Sequence, residues 1–273
     1  MSDGASTVPA LSYQGVSFSY GGRGGRATDA GIVPLIQGLS LDIPSGCVTG
    51  IVGPNGCGKS TLLKLADGLL RPSAGTVLVE GRDVCGMSAR ERARRVAMLP
   101  QVHRTPSMTV HDLVMCGRYA RMGAFGRASA EDERAVDDAL SELRLGGIAR
   151  KRARSLSGGE RQRAFLAMVV AQEAGVLLLD EPTTYLDVHA AFETMELARG
   201  LNRRRGVTVI AVIHDLDLAL RSCDRLVVMC DGTVLAQGEA GDATVLSAVE
   251  RAFDVDVLPV ETPRGRAYAA FAR

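Results

Sequence analysis

Lysine is almost missing from this chain. Of 32 basic residues in 273, only Lys59, Lys64 and Lys151 are lysines. The skew carries no function by itself, yet it singles out any lysine in a special place. Net charge is nearly absent too: the formal value is +1, which gives no whole-molecule case for binding nucleic acid. No apolar run approaches the roughly 20 residues that a membrane-crossing helix needs. The longest, around Val176–Leu179 and Val207–Ile213, have the length of buried strands. Met1–Ala10 lacks a charged segment leading into an apolar one, which argues against a signal peptide. The six cysteines (Cys47, Cys57, Cys85, Cys116, Cys223, Cys230) show no metal-finger spacing, so free thiols in a reducing compartment are expected. The remaining composition, 46% hydrophobic and 23% charged, is that of a folded chain rather than a disordered one. A soluble, cytosolic protein of roughly one or two domains is expected.

Leu11–Tyr20 reads as a strand. Gly21–Gly31 is a glycine-rich tip, expected to be a flexible hairpin loop rather than an anion nest despite Arg23 and Arg26. Val33–Ile43 alternates again, which predicts an antiparallel pair. Cys47–Val52, Thr76–Val79, Val96–Leu99, Val176–Asp180, Val207–Ile213, Leu226–Met229 and Val234–Gln237 read as further strands. Helical spacing fills Leu62–Leu70 and Ser88–Arg95. From Thr109 to Arg154 strand signals vanish and charged helical patterns dominate, as in Ser129–Leu143, where Ser129 is a candidate N-cap and Asp132 its capping-box acid. Apolar strands alternating with helices predict a parallel sheet covered by helices, here with a helical insertion.

Gly53-Pro54-Asn55-Gly56-Cys57-Gly58-Lys59-Ser60 fits the phosphate-loop pattern, with a strand before it and a helix after it. Its glycines let successive backbone N–H groups face inward, and the helix N-terminus adds partial positive charge. Lys59 suits the β- and γ-phosphates, Ser60 a Mg2+ ion, and Thr61 the neighbourhood of the α-phosphate. Cys57 stands where a helix terminus and a lysine lower a thiol pKa, although a small filler residue is the favoured reading.

Val176–Asp180 is an apolar strand ending in two carboxylates. Asp180 falls at the sheet edge where open α/β sheets bind ligands and suits Mg2+. Glu181 suits the role of base toward water. Leu156-Ser157-Gly158-Gly159-Glu160 opens a helix and makes a second anion-binding terminus. His214 follows an apolar strand, at the position of a γ-phosphate sensor.

Together these segments resemble the ATP-binding subunits of ABC transporters, from about Leu11 to about Leu258. In family order, Tyr20 matches the adenine-stacking aromatic, Gly53–Thr61 the Walker A loop and Gln101 the Q-loop glutamine. Leu156–Glu160 matches the signature motif, with Glu160 where many members have glutamine. Val176–Asp180 matches Walker B, Glu181 the catalytic glutamate, Tyr185-Leu186-Asp187 the D-loop, and His214 the switch histidine.

The resemblance implies an α/β P-loop NTPase: a mainly parallel sheet core, an N-terminal antiparallel β subdomain and an inserted helical subdomain. It implies one cassette over 1–273, with a nucleotide-binding core at 11–100 and 165–258 and the helical subdomain at 101–164. It implies ATP hydrolysis by a homodimer packed head to tail. ATP and Mg2+ on one subunit, the ion near Ser60, Gln101 and Asp180, would be closed over by Ser157, Gly158 and Gly159 of the other, with Asp187 at the seam. A separate integral-membrane permease would dock beside Gln101 on 102–127, placing the subunit peripherally at the cytoplasmic face; a substrate-binding protein would take part indirectly. The stretch Asp112–Tyr119, including Gly117-Arg118, resembles importers of iron–siderophore complexes, haem and cobalamin, although Ala120 stands where proline is usual. Glu181–Asp187, His214–Ala219 and Phe253–Val260 resemble the same group. Iron(III)–siderophore import is the favoured expectation; another ABC transporter (haem, cobalamin, zinc or manganese) or a non-transport ABC ATPase are the alternatives.

Overall fold

The structure is a computed structural model that describes residues 8–21, 34–101, 105–122, 127–263 and 265–273. The expected glycine-rich tip, beyond Gly21, lies outside the described residues, as do 102–104 and 123–126 of the expected docking segment. The described chain forms two compact units, Met1–Met87 with Val212–Arg273, and Ser88–Ala211.

The first unit opens with β1 (Leu11–Phe18), β2 (Ile36–Ile43), β3 (Val48–Val52), α1 (Lys59–Ala66), β4 (Ala74–Val79) and β5 (Arg82–Asp83). Strands β2, β1, β4 and β5 make one antiparallel sheet in that order. Its register sets Leu11 opposite both Ile43 and Val79, and all three are fully buried. The buried Tyr13 hydroxyl donates to the Leu62 carbonyl at 2.9 Å, fixing β1 to α1; burial pushes its pKa up.

The second unit contains α2 (Ala89–Ala93), β6 (Val96–Leu99), α3 (Val110–Met115), α4 (Ala130–Glu142), α5 (Gly158–Ala171), β7 (Val176–Asp180), α6 (Val188–Arg205) and β8 (Thr208–Val212), whose last residue begins the return to the first unit. Strands run in the order β8-β7-β6, with β6 and β7 parallel and Val96 opposite Val176. All five residues of β7 are buried, as strands covered on both faces require. The stretch expected to be helical holds α3 and α4, and both pack on α5. The predicted capping box is present: Ser129 Oγ accepts the Asp132 N–H, and Asp132 accepts the Ser129 N–H.

The chain then completes the first unit with α7 (Leu216–Ser222), β9 (Arg225–Cys230), β10 (Thr233–Glu239), α8 (Ala243–Phe253), β11 (Val255–Thr262) and β12 (Gly265–Ala272). β3 is parallel to β9, and β10 is antiparallel to β9. No helix among the described residues is long and apolar enough to cross a membrane.

Two expectations are corrected, and one element carries no signal in the sequence. The strand at Leu11–Tyr20 ends at Phe18, and Tyr20 stands in a turn. The helix expected at Leu62–Leu70 begins at Lys59, because Gly58 already takes the left-handed N-cap conformation; it ends at Ala66, ahead of Gly68 at φ 72°. The β11–β12 hairpin was not foreseen at all: it carries no Asn-Gly or Asp-Gly turn signal, and Pro259 sits within β11. Leu178 in β7 is fully buried. Leu178→Ala is expected to lose about 2–5 kcal/mol of stability, measured as a lower urea midpoint with an unchanged slope.

Candidate active site

The phosphate loop grows out of the buried strand β3. Gly53 follows the strand with φ 154°, and a Cβ there would lie 2.2 Å from the Met229 carbonyl oxygen. Only glycine lets the chain leave β3 along this path. Asn55 and Gly56 stand exposed at the crest, with Cys57 and Gly58 buried behind them. Helix α1 then starts without a side-chain cap and with no acid in its first turn. Such a terminus presents backbone amides and partial positive charge to an anion. Lys59 is only 5% exposed, and its ammonium donates to the Gly53 carbonyl at 2.7 Å and the Pro54 carbonyl at 2.8 Å. The one cation of the loop is thus pinned across its base.

Ser60 is half-buried and Thr61 buried. Thr61 Oγ1 lies 3.1 Å from the Tyr20 hydroxyl. The Tyr20 ring packs edge-on against Phe18 with centroids 4.9 Å apart, yet the residue is 54% exposed. It is therefore not a core strand residue; it overhangs the start of α1 with ring surface to spare. In the same unit the Ile213 N–H donates to the Ile51 carbonyl at 3.2 Å. The exposed His214 thus follows at the same strand end as the loop.

The Cys57 thiol is buried. Burial pushes its pKa up, and the opposing pull of Lys59 is the smaller influence. The filler reading of Cys57 therefore accounts for it, and the lowered thiol pKa does not occur.

In the second unit, β7 delivers Asp180, 1% exposed, to its C-terminal end. Glu181 comes next at φ 52°, a left-handed conformation that costs a non-glycine residue about 1–3 kcal/mol. Its Oε2 accepts the Gln101 side-chain N–H at 2.7 Å and the Thr184 hydroxyl at 3.0 Å. Gln101 and Glu181, 80 residues apart, are brought together. Thr184 is a partner that sequence reasoning missed, although it lies three residues on in the same turn. Beyond it, Tyr185 takes φ 66° and is 93% exposed. Asp187 caps α6 by accepting the Ala190 N–H at 2.8 Å.

Helix α5 opens with a second capping box. Ser157 Oγ accepts the Glu160 N–H at 3.3 Å, and Glu160 accepts the Ser157 N–H at 2.9 Å. These hydrogen bonds hold the Glu160 carboxyl below its ordinary pKa. Glutamate closes the box as glutamine would, which explains how Glu160 serves here. Ser157 and Gly158 are exposed, and a Cβ on Gly158 would meet nothing within 4 Å. Gln162, also missed, donates to the Pro182 carbonyl at 2.7 Å and ties α5 to the turn behind Glu181.

Each unit carries oxygen donors of the kind Mg2+ takes: the Ser60 hydroxyl in the first, and the Asp180 carboxylate and Gln101 amide oxygen in the second. The described residues contain no cluster of three or more His, Cys, Asp or Glu able to hold a metal alone.

Comparison with known proteins decides the family. The ABC transporter family model matches residues 36–184. The chain belongs to the ABC transporter ATPases. This ABC ATPase is 40% identical over 231 residues to the iron(3+)-hydroxamate import ATP-binding protein FhuC of Bacillus subtilis (strain 168), covering 84% of this chain and 86% of that one. It is 40% identical over 230 residues to the ferric enterobactin transport ATP-binding protein FepC of Escherichia coli (strain K12), covering 84% and 85%. A metal-chelate type ABC transporter solved in an inward-facing conformation aligns with TM-score 0.80 and 25% identity over 97% of this chain and 98% of that one. A dimeric ATP-binding cassette solved in a post-hydrolysis state with ADP and phosphate aligns with TM-score 0.72 and 26% identity over 84% and 98%. The ABC ATPase binds ATP and hydrolyses it.

The raised Cys57 pKa means less thiolate at neutral pH. Cys57 is expected to alkylate more slowly at pH 7 than the exposed Cys85, as followed by peptide mass spectrometry with iodoacetamide, and to gain reactivity as pH rises.

Proposed function

We propose that this ABC ATPase powers the import of iron(III)–siderophore complexes through an integral-membrane permease. It would act as one of two identical subunits, peripheral to the membrane at its cytoplasmic face, with a substrate-binding protein delivering the chelate from the far side. The observation that carries the substrate class is the 40% identity over 84% of the chain to two iron-chelate import ATPases. The Gly117-Arg118 segment supports the same class.

For the chemistry, Gly53–Thr61 bind the phosphates of ATP, with Lys59 as the fixed cation, and Tyr20 stacks on the base. Ser60, Asp180 and Gln101 would hold Mg2+, which would offset phosphate charge. Glu181 orients and activates the attacking water, and its hydrogen bonds from Gln101 and Thr184 fix the carboxylate for that task. His214 contacts the γ-phosphate. Ser157, Gly158 and Gly159 of a second copy close over the nucleotide, and Asp187 stands at the seam. Catalysis is then positioning plus charge stabilisation. The cassette spans 1–273, with the core at 11–100 and 165–258 and the helical part at 101–164.

A groove of about 440 Å3 is lined by Ala89, Arg90, Ala93, Tyr119, Ala120 and Met122. Arg90 donates to the Ala120 carbonyl at 2.8 Å and also to the Met122 carbonyl, which keeps its wall in place. Tyr119, Ala120 and Met122 of its lining fall within the expected docking segment 102–127, and this groove would receive a cytoplasmic helix of the permease.

Glu181→Gln is expected to keep ATP affinity and lose most turnover, at least about a hundredfold, in a phosphate-release assay. Near-normal hydrolysis would remove Glu181 from the role of base. Deleting the gene is expected to abolish uptake of radiolabelled ferric siderophore. Intact ferric uptake with another import lost would overturn the substrate class.

A further inference from the structure

Helix α5 ends where most of the buried charge of the second unit collects. Arg118, in the 3-10 turn Cys116–Arg118 after α3, is only 1% exposed and is the bulkiest fully buried side chain among the described residues. Its Nε donates to Asp132 Oδ1 at 2.9 Å. Its Nη1 donates to the Ala171 carbonyl at 2.7 Å and to Glu173 Oε2 at 2.6 Å. Ala171 is the last residue of α5, so Arg118 satisfies a carbonyl that the helix leaves unpaired and sets a cation at the negative end of its dipole. Arg121 adds a second guanidinium, donating to the Gln172 carbonyl at 3.0 Å and the Glu173 carbonyl at 2.7 Å.

Asp132 completes the tie. One of its oxygens takes Arg118; the other closes the capping box of α4 by accepting from the Ser129 N–H and hydroxyl. One guanidinium therefore joins the start of α4 to the end of α5. The backbone is pressed equally close: a Cβ on Gly117 would lie 2.1 Å from the Met168 carbonyl oxygen of α5. A glycine is required there by contact, not by its backbone angles. The residues immediately after Arg118, Tyr119 and Ala120, line the groove. The residue that binds the end of α5 and two residues of the groove wall are thus consecutive in the chain.

We infer that Arg118 is the positioning residue that holds α5 by its C-terminal end, so that Ser157 and Gly158 at the other end are presented in one fixed geometry and move with the groove wall. The inference rests on the reading that Ser157–Gly159 close over nucleotide on a second subunit. Arg118 is buried, so it acts through α5 rather than on a ligand. Its effect reaches the reaction through a helix of 14 residues, which transmits displacement as a rigid body because its own hydrogen bonds are internal.

The test uses the purified full-length chain. Arg118→Lys keeps the charge, but a point ammonium loses the planar fork that serves Asp132, Ala171 and Glu173 together. Arg118→Met removes both charge and fork. For Arg118→Lys, kcat is expected to fall about tenfold with nucleotide affinity changed by less than about twofold, the split expected of lost positioning rather than lost ground-state binding. In the Glu181→Gln background, ATP-driven dimerisation followed by sedimentation is expected to need about tenfold more ATP. Arg118→Met is expected to do worse than Arg118→Lys by both measures. A folded Arg118→Lys protein with parental kcat and parental dimerisation would overturn the inference, whether or not Arg118→Met folds. Ser157→Arg separates the two levels. If it dimerises and hydrolyses normally, the underlying reading of the signature segment fails as well. If it is blocked while Arg118→Lys is parental, only the role of Arg118 fails.

Discussion

The start of α1 is a helix end that the protein does not finish. Neither a capping side chain nor a first-turn acid answers its amides, and the loop ahead of it runs from Gly53 to Gly58 over a pinned ammonium. Everything near it serves to keep that end exposed and rigid. The buried strand β3 fixes where the loop begins, Tyr13 bonds α1 from β1, and Tyr20 overhangs Thr61. A terminus left open in this way is the cheapest anion site a fold can offer, because the partial charges exist before any ligand arrives. The family relation then says which anion it is.

Helix α5 is the complementary case. The Ser157–Glu160 box answers two backbone amides at its N-terminus, and two arginines take the Ala171 and Gln172 carbonyls at its C-terminal end. What it contributes is placement. Gln162 holds its first turns to Pro182, Arg163 pairs with Glu193 of α6 at 2.6 Å, and Arg118 holds its last turn. A helix anchored at both ends presents its exposed glycine at a repeatable position, which a surface used in assembly requires.

Local signals were legible; distant partnerships were not. Ser129 and Asp132 announced α4 because a capping box is written within four residues. The strand Val176–Asp180 was readable to the residue because burial on both faces leaves an unbroken apolar run. By contrast, Gln101 and Glu181 are 80 residues apart, and no periodicity links them; only the fold shows that one donates to the other. Thr184 stood beside Glu181 in the sequence, but its hydroxyl became informative only once Glu181 took a left-handed conformation that bends the chain back on itself. That conformation is itself unreadable, since glutamate has no preference for it. The same holds for Arg118. The sequence marked Gly117-Arg118 by resemblance, while the reason for the pair, backbone contact with α5 and a three-acceptor guanidinium, is purely tertiary.

The scarcity of lysine can now be given a physical sense at two sites. Arg118 must serve a carboxylate on one helix, a carbonyl at the end of another and a second carboxylate beyond it. A planar fork with fixed donor directions does this from one buried place, and its weak hydration lowers the penalty of burial. Lys59 has the opposite task. A compact ammonium is held between the carbonyls of Gly53 and Pro54, and in the proposed function it would meet a phosphate oxygen as a point charge. A guanidinium there would impose its own plane on a loop shaped by backbone amides. At these two sites arginine imposes geometry on the protein, and one of the three lysines would meet the ligand as a compact charge.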